Sequence, residues 1–277
     1  MIKKVAVVIS VVLLFPFGNL ASAAPAPLPL QLAQSSTSKA IAFSDINLEV
    51  SVRQAIKKPV GQITAKDMAA LTKLEAKSRN IVSLNGMEAA VNLTELDISS
   101  NKITDLKPLT NLLKLKRLNI SNNPLQTLQP LAKLANLNTL KAENSQLTDL
   151  SVLEHLCRLN ELSISNRAEG NPEYRNQLGY IALQYISQLA SLNKLTARDL
   201  GIDDLSFLLN LTELAEVDLQ DNRIPTWGIW EISQSHSAAL GQGDILNIAN
   251  NAIDTAPGGE GILFIDGLSQ KGVTVLY

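Results

Sequence analysis

LTELDISSNKITDLKPLTNLLK (93–114) is followed without a gap by LKRLNISNNPLQTLQPLAKLAN (115–136), and both stretches carry one pattern. LTKLEAKSRNIVSLNGMEAAVN (71–92) precedes them and LNTLKAENSQLTDLSVLEHLCR (137–158) follows, so four units of 22 residues abut. A longer copy starts at Leu159, a regular one at Leu192, another long one at Leu214 and a worn one near Gly243. Tandem copies of this length are supersecondary units that bury their apolar faces only against one another.

The spacing inside a copy sets its path. In LxxLxL, Leu96 and Ile98 alternate with Glu95, Asp97 and Ser99, as the two faces of a short strand require. Asn101 follows, with an amide able to satisfy backbone groups left unpaired by a bend. Ile103, Leu106, Leu109 and Leu112 return at intervals of three, which suits a 3₁₀ or short helical segment on the opposite side. Stacking such copies lines their strands into one parallel sheet.

The block LxxLxLxxNxIxxLxPLxxLxx, clearest over 93–136, resembles the 22-residue leucine-rich repeat of internalin-like bacterial proteins. The resemblance covers about 71–254 and implies an α/β solenoid, a curved horseshoe with strands on the concave face and short helical or 3₁₀ segments on the convex face. FSDINLEVSVRQAIKKPVGQITAKDMAAL (43–71) resembles the helical N-terminal cap of such arrays, with Thr64 and Asp67 placed to start a helix. GILFIDGLSQKGVTVLY (261–277) reads as a last helix and closing strand. The expected division is a signal peptide at 1–23, a Pro/Ala/Ser spacer at 24–40, a cap at 41–70, eight repeats over 71–253 and a C-terminal cap at 254–277. The asparagine position departs from the pattern at Arg79, Ser145, Arg167 and Leu200, which predicts a ladder interrupted in the first and middle copies. No sortase-type LPxTG follows the array, so wall attachment is not carried over from the resemblance.

Lys3 and Lys4, an apolar run from Val5 to Phe17 and Ala21-Ser22-Ala23 read as the three parts of a secretory leader. The expected location is therefore outside the cytoplasm, secreted or periplasmic, with no membrane insertion after cleavage. The formal charge of −2 offers no net attraction for nucleic acid or anionic lipid. A single cysteine, Cys157, rules out an intrachain disulfide framework.

Binding chemistry has two candidate locations. The outward strand positions include Glu95, Asp97, Arg117, Asn119, Lys141, Glu143, Glu161, Lys194, Arg198, Glu216 and Asp218, alongside Lys73, Glu75, Thr139 and Ser163. Charges of both signs mix there and aromatics are absent, which fits a polar face for a protein or glycan rather than an aromatic hot spot. The insertion at 168–178 carries Tyr174 and Arg175, an aromatic–basic pair on a loop. Trp227 and Trp230 count into inward slots, matching Leu106 and Leu109, and are read as core. Cys157 and His155 lie two apart and do not face each other on a helical turn, so Cys157 is read as a small, partly buried thiol. His236 lacks a nucleophile motif, Asp203-Asp204 lacks calcium-loop spacing, and PGGEG (257–261) reads as a turn. Asn92 and Asn210 begin glycosylation sequons that follow from repeat composition. The expectation is a monomeric, non-enzymatic binding module without metal or cofactor; the alternative is an accessory envelope protein with no fixed ligand.

Overall fold

The computed structural model describes residues 40–168, 170–234 and 239–277; the leader, most of the spacer and His236 lie outside them. Among the described residues, nine three-residue strands form one open parallel sheet in chain order. They are β1 (Lys73–Glu75), β2 (Glu95–Asp97), β3 (Arg117–Asn119), β4 (Thr139–Lys141), β5 (Glu161–Ser163), β6 (Lys194–Thr196), β7 (Glu216–Asp218), β8 (Ile245–Asn247) and β9 (Thr274–Leu276). Pairing is in register from repeat to repeat, so Leu74, Leu96, Leu118, Leu140, Leu162, Leu195, Val217 and Leu246 make one column. All eight are buried, and the core is a stack of such columns. This is an α/β leucine-rich-repeat solenoid.

Seven of the nine strands end in the same bend. The residue before the asparagine position has positive φ at Ser78, Ser100, Asn122, Asn144, Asp199, Asp221 and Asn250. Short polar side chains tolerate that left-handed conformation better than bulky ones, and the sequence places only Ser, Asn or Asp there. The next residue closes the bend. Asn101 is buried; its Oδ1 accepts from the Arg79 and Ile81 amides at 3.0 Å each, and its Nδ2 donates to the Ala76 and Ile98 carbonyls at 2.9 and 2.8 Å. Asn123, Asn222 and Asn251 bond in the same manner to the repeat before them. On the convex side most copies make a 3₁₀ turn, such as Lys107–Leu109 or Gln129–Leu131. Asp105, Asp149 and Asp204 each accept from the amide two residues on at the start of these turns. Asp204 is thereby assigned a structural task.

In the fifth copy the ladder is rerouted, which the sequence pattern did not anticipate. Arg167 stands at the expected asparagine position, but the rung is Asn176, beyond the insertion. Its Oδ1 accepts from the Ser145 and Leu147 amides at 3.0 Å each, and its Nδ2 donates to the Ala142 and Ile164 carbonyls at 3.0 and 2.7 Å. Asn166 stands in for the rung missing at Leu200: it accepts from the Asn176 amide at 2.6 Å and donates to the Asp199 carbonyl at 2.9 Å. Ser145 Oγ reaches the Ile120 carbonyl of the preceding copy at 3.4 Å and the Glu143 carbonyl of its own at 3.0 Å, a shortened rung.

Both long copies add an α-helix on the convex side, which in the fifth runs on into a 3₁₀ turn at Tyr185–Gln188 and in the seventh takes its place. Numbering helices along the chain, α1 (Ile46–Ala55) and α2 (Ala65–Ala69) precede the sheet, α3 (Tyr180–Gln184) and α4 (Thr226–Ser233) lie in the fifth and seventh copies, and α5 (Glu260–Gln270) leads into β9. Thr64 and Asp67 form a reciprocal capping box on α2. In the first turn of α5, a Cβ on Gly261 would lie 2.4 Å from the Asp254 carbonyl oxygen, so only glycine fits there. Ala40 already bridges Thr64, so paired structure begins at the last residue assigned to the spacer.

Asp45 joins the N-terminal helix to the array. One oxygen caps α1 through the Asn47 and Leu48 amides, at 2.8 and 3.2 Å; the other accepts from the Val82 amide of the first repeat at 2.7 Å. Burial pushes its carboxyl up, but bonds from Val82, Leu48, Asn47 and Ser83 outweigh that and hold it below the ordinary 3.8. A depressed folded-state value stabilises above the unfolded value and loses that contribution as pH falls through the folded one. Asp45→Ala should cost about 1–3 kcal/mol at neutral pH. Between about pH 5 and the acid limit its denaturation midpoint should fall less steeply than wild type. Parallel acid limbs in urea titrations would show that Asp45 does not carry this linkage.

Candidate functional site

The polar side of the sheet forms a groove of about 510 Å³ across β1 to β5, with Lys73, Glu95, Asp97, Arg117, Lys141 and Glu161 among its walls. Strand alternation turns these side chains away from the leucine columns, and in-register stacking brings residues 22 apart side by side. Asn138 and Asn160 also line it. They sit one residue before their strands and were missed by reading only the alternating strand positions.

The face is a lattice of ion pairs. Glu95 lies between Lys73 at 3.6 Å and Arg117 at 3.2 Å; Lys141 meets Glu161 at 2.9 Å and Lys194 meets Glu216 at 2.5 Å. Arg198 grips one carboxylate oxygen of Asp218 through two nitrogens, and this bond raises its guanidinium value further above the ordinary one. The bond to Glu75, then the charges of Glu75 and Glu95, raise Lys73 likewise. Asp97 accepts from the Ser99 amide at 2.9 Å and from Asn119 Nδ2 at 3.2 Å. Every cation expected on the concave strands thus has a carboxylate partner within the chain.

Glu143 is the exception among the expected contact residues. It is only 6 % exposed, bonded to the Ser163 hydroxyl and to Arg167 Nε at 2.5 Å. The insertion lays Arg167 over it and removes it from the open face. Thr139 and Ser163 are buried as well.

The insertion bonds to turns of the copies on either side of it. The Tyr174 carbonyl accepts from the Gln146 amide at 2.8 Å, and Arg175 pairs with Asp199 at 2.6 Å. Tyr174 and Asn171 share a shallow groove with Asn80, Ser100 and Asn122. Because Asn176 and Leu178 are buried in the array, the added loop is 167–175 rather than 168–178.

Two further expectations are corrected. Trp227 and Trp230 are 57 % and 49 % exposed, not core. The long copy winds α4 there, so the period changes from three to 3.6, and Gly228, Ile229 and Ile232 take the inward face. Cys157 is exposed rather than partly buried, its Sγ 3.6 Å from the Glu154 carbonyl. Among the described residues no group of three or more His, Cys, Asp and Glu side chains is placed to hold a metal ion, and no helix is long and apolar enough to cross a membrane.

Comparisons with known proteins agree with this geometry. A family model described as leucine rich repeats (2 copies) matches residues 91–133. The fold is similar to internalin C2 from Listeria monocytogenes, with a TM-score of 0.67 at 27 % identity over 84 % of this chain and 94 % of that one. This is an internalin-like leucine-rich repeat protein. The internalin InlF from the same organism shares the fold at a TM-score of 0.52 and 23 % identity, over 84 % of this chain and 76 % of that one. The functional domain of InlJ does so at 0.55 and 20 %, over 87 % and 57 %. No curated protein matches.

The boundary of the insertion is testable by deletion. Removing 167–175 joins Asn166 directly to Asn176 and restores the strand-to-rung spacing of a regular copy, so cooperative melting should survive with a loss of about 1–2 kcal/mol. Removing 168–178 takes out a buried rung and a core leucine and should cost at least about 3 kcal/mol more. Equal losses in guanidinium titrations would contradict the placement of Asn176.

Proposed function

We propose that this protein is an exported recognition module, secreted or periplasmic, that binds a protein ligand through the concave face and performs no catalysis. The observation that carries the reading is the groove across β1 to β5, a rigid polar surface whose walls come from five consecutive strands. Preorganisation of that kind lowers the ordering cost of association. Surface ion pairs contribute about 0–1 kcal/mol each, so a partner can exchange them for intermolecular pairs at little cost. Recognition there depends on charge pattern more than on buried apolar area, and salt screens it. A glycan is the other ligand class compatible with so polar a face. The insertion, with Tyr174 and Arg175, is the other docking edge.

The alternative is an accessory envelope protein with no fixed ligand. The self-neutralised lattice favours it, because Arg117, Lys141 and Lys194 already have partners. Reversing those three to Glu sets each against Glu95, Glu161 or Glu216. Stability should fall by only about 1–2 kcal/mol, since these pairs are solvent-exposed. Crosslinking in envelope fractions at low salt should capture a saturable protein partner with the wild type and not with the triple variant. Capture retained by the triple variant but lost on deleting 167–175 would move the site to the insertion. No saturable partner for the wild type would sink the module reading.

A further inference from the structure

The edge where the chain re-enters each strand carries a second array of charge, built differently from the first. The last positions of the first four repeats are Asn92, Lys114, Asn136 and Arg158, an alternation of amide and cation. Asn92 Nδ2 donates to the Ala69 carbonyl at 2.7 Å, which aims Oδ1 at the next repeat, where it accepts from Lys114 Nζ at 2.7 Å. Asn136 repeats the device two copies on: Nδ2 donates to the Leu113 carbonyl at 2.9 Å and Oδ1 accepts from Arg158 at 2.8 Å. A backbone carbonyl thus orients each amide, and each amide orients one cation.

The partner's neutrality is the point of the arrangement. On the concave strands each cation faces a carboxylate that cancels much of its charge. Here an amide oxygen fixes the side chain and leaves the charge intact. Lys116 and Arg158 line one groove with Arg117, Asn136 and Asn138; Glu95 is the single carboxylate among the groove residues and already faces Arg117 at 3.2 Å. Lys114, Lys116 and Arg158 are all exposed. Strands stack about 4.8 Å apart, so Lys114 and Arg158, two repeats apart, stand about 10 Å from each other along the solenoid.

We propose that this row docks an acidic segment of a protein partner in the polyproline-II conformation, with carboxylates three residues apart on Lys114 and Arg158 and Lys116 engaged beside Lys114. Three residues of polyproline-II chain rise about 9 Å and return to the same face, which matches the two-repeat interval. A dense anionic polysaccharide fits less well. Neutral amides interrupt the row, and the same position holds Ser191 and then Glu213 in the following copies. A long uniform polyanion would meet that carboxylate.

The inference rests on the binding-module reading, but its test needs no native partner. The probe is a fluorescein-labelled peptide of repeated Glu-Gly-Ser units, titrated at low salt by anisotropy against the full chain. Lys114→Gln, Lys116→Gln and Arg158→Gln combined should weaken binding about tenfold or more, and added salt should weaken the wild type in the same direction. Asn92→Ala with Asn136→Ala leaves the charge unchanged and should still lose about threefold, because the cations are no longer oriented. Circular dichroism melts confirm that both variants fold. Unchanged affinity in the charge-neutralised variant overturns the proposal. So does tighter binding of a sulfated oligosaccharide than of the peptide, lost in that same variant, which would assign the row to a glycan. If the peptide binds but crosslinking captures no envelope protein, the module reading fails and the row stands; the converse removes the row alone.

Discussion

A three-residue strand leaves most of a repeat's backbone outside the sheet, and the bend after it buries N–H and C=O groups between neighbouring copies. Those groups need partners that adjacent strands cannot supply. An asparagine carboxamide is short enough to stay inside the bend and offers two donors and two acceptor lone pairs. Asn101 uses this capacity on both sides, accepting from two amides of the first repeat and donating to carbonyls of the first and second. The leucine columns provide apolar burial and the rung provides polar satisfaction. Only together do they allow an open sheet with one apolar side and one mostly polar side, on which every binding surface depends.

The polar side then holds charge in two ways. Where cations stand opposite carboxylates, as Lys194 does at Glu216, the surface is internally balanced and a partner must exchange one pair for another. Where a cation rests on an amide, as Arg158 does at Asn136, its charge remains available. The two arrays lie side by side over the first repeats. A single ligand can use the concave strands for shape and hydrogen bonding and the edge row for long-range attraction.

The leucine columns, the strand positions and the capping of α2 were legible because each depends on a local period or a three-residue spacing. Positions governed by inserted length were not. Arg167 occupies the ninth place of its copy, yet the rung is Asn176, because a loop of unknown size can be excluded from the count only when the bonds on either side are known. Trp227 and Trp230 were misplaced for a related reason: extra residues turned a 3₁₀ segment into α4 and changed the period by which inward positions are counted. Glu143 was expected on the open strand face but lies two residues beyond β4 and is covered from the insertion, a contact between segments far apart in the pattern. The amide–cation row was overlooked because the last position of a repeat belongs to neither the strand nor the helical period.

The most direct test of this account is the stability of Asn176→Ala relative to Asn101→Ala, with Gln177→Ala as an exposed neighbour. If Asn176 is a true rung, its loss strands the Ser145 and Leu147 amides and two carbonyls inside the array. Unsatisfied buried groups cost about 1–3 kcal/mol each, so guanidinium titration should show losses of at least about 3 kcal/mol for both rung variants. Gln177→Ala should remain within about 0.5 kcal/mol of wild type. A wild-type midpoint for Asn176→Ala, with Asn101→Ala destabilised, would mean that the ladder is broken at the insertion and that leucine packing alone carries the array across it.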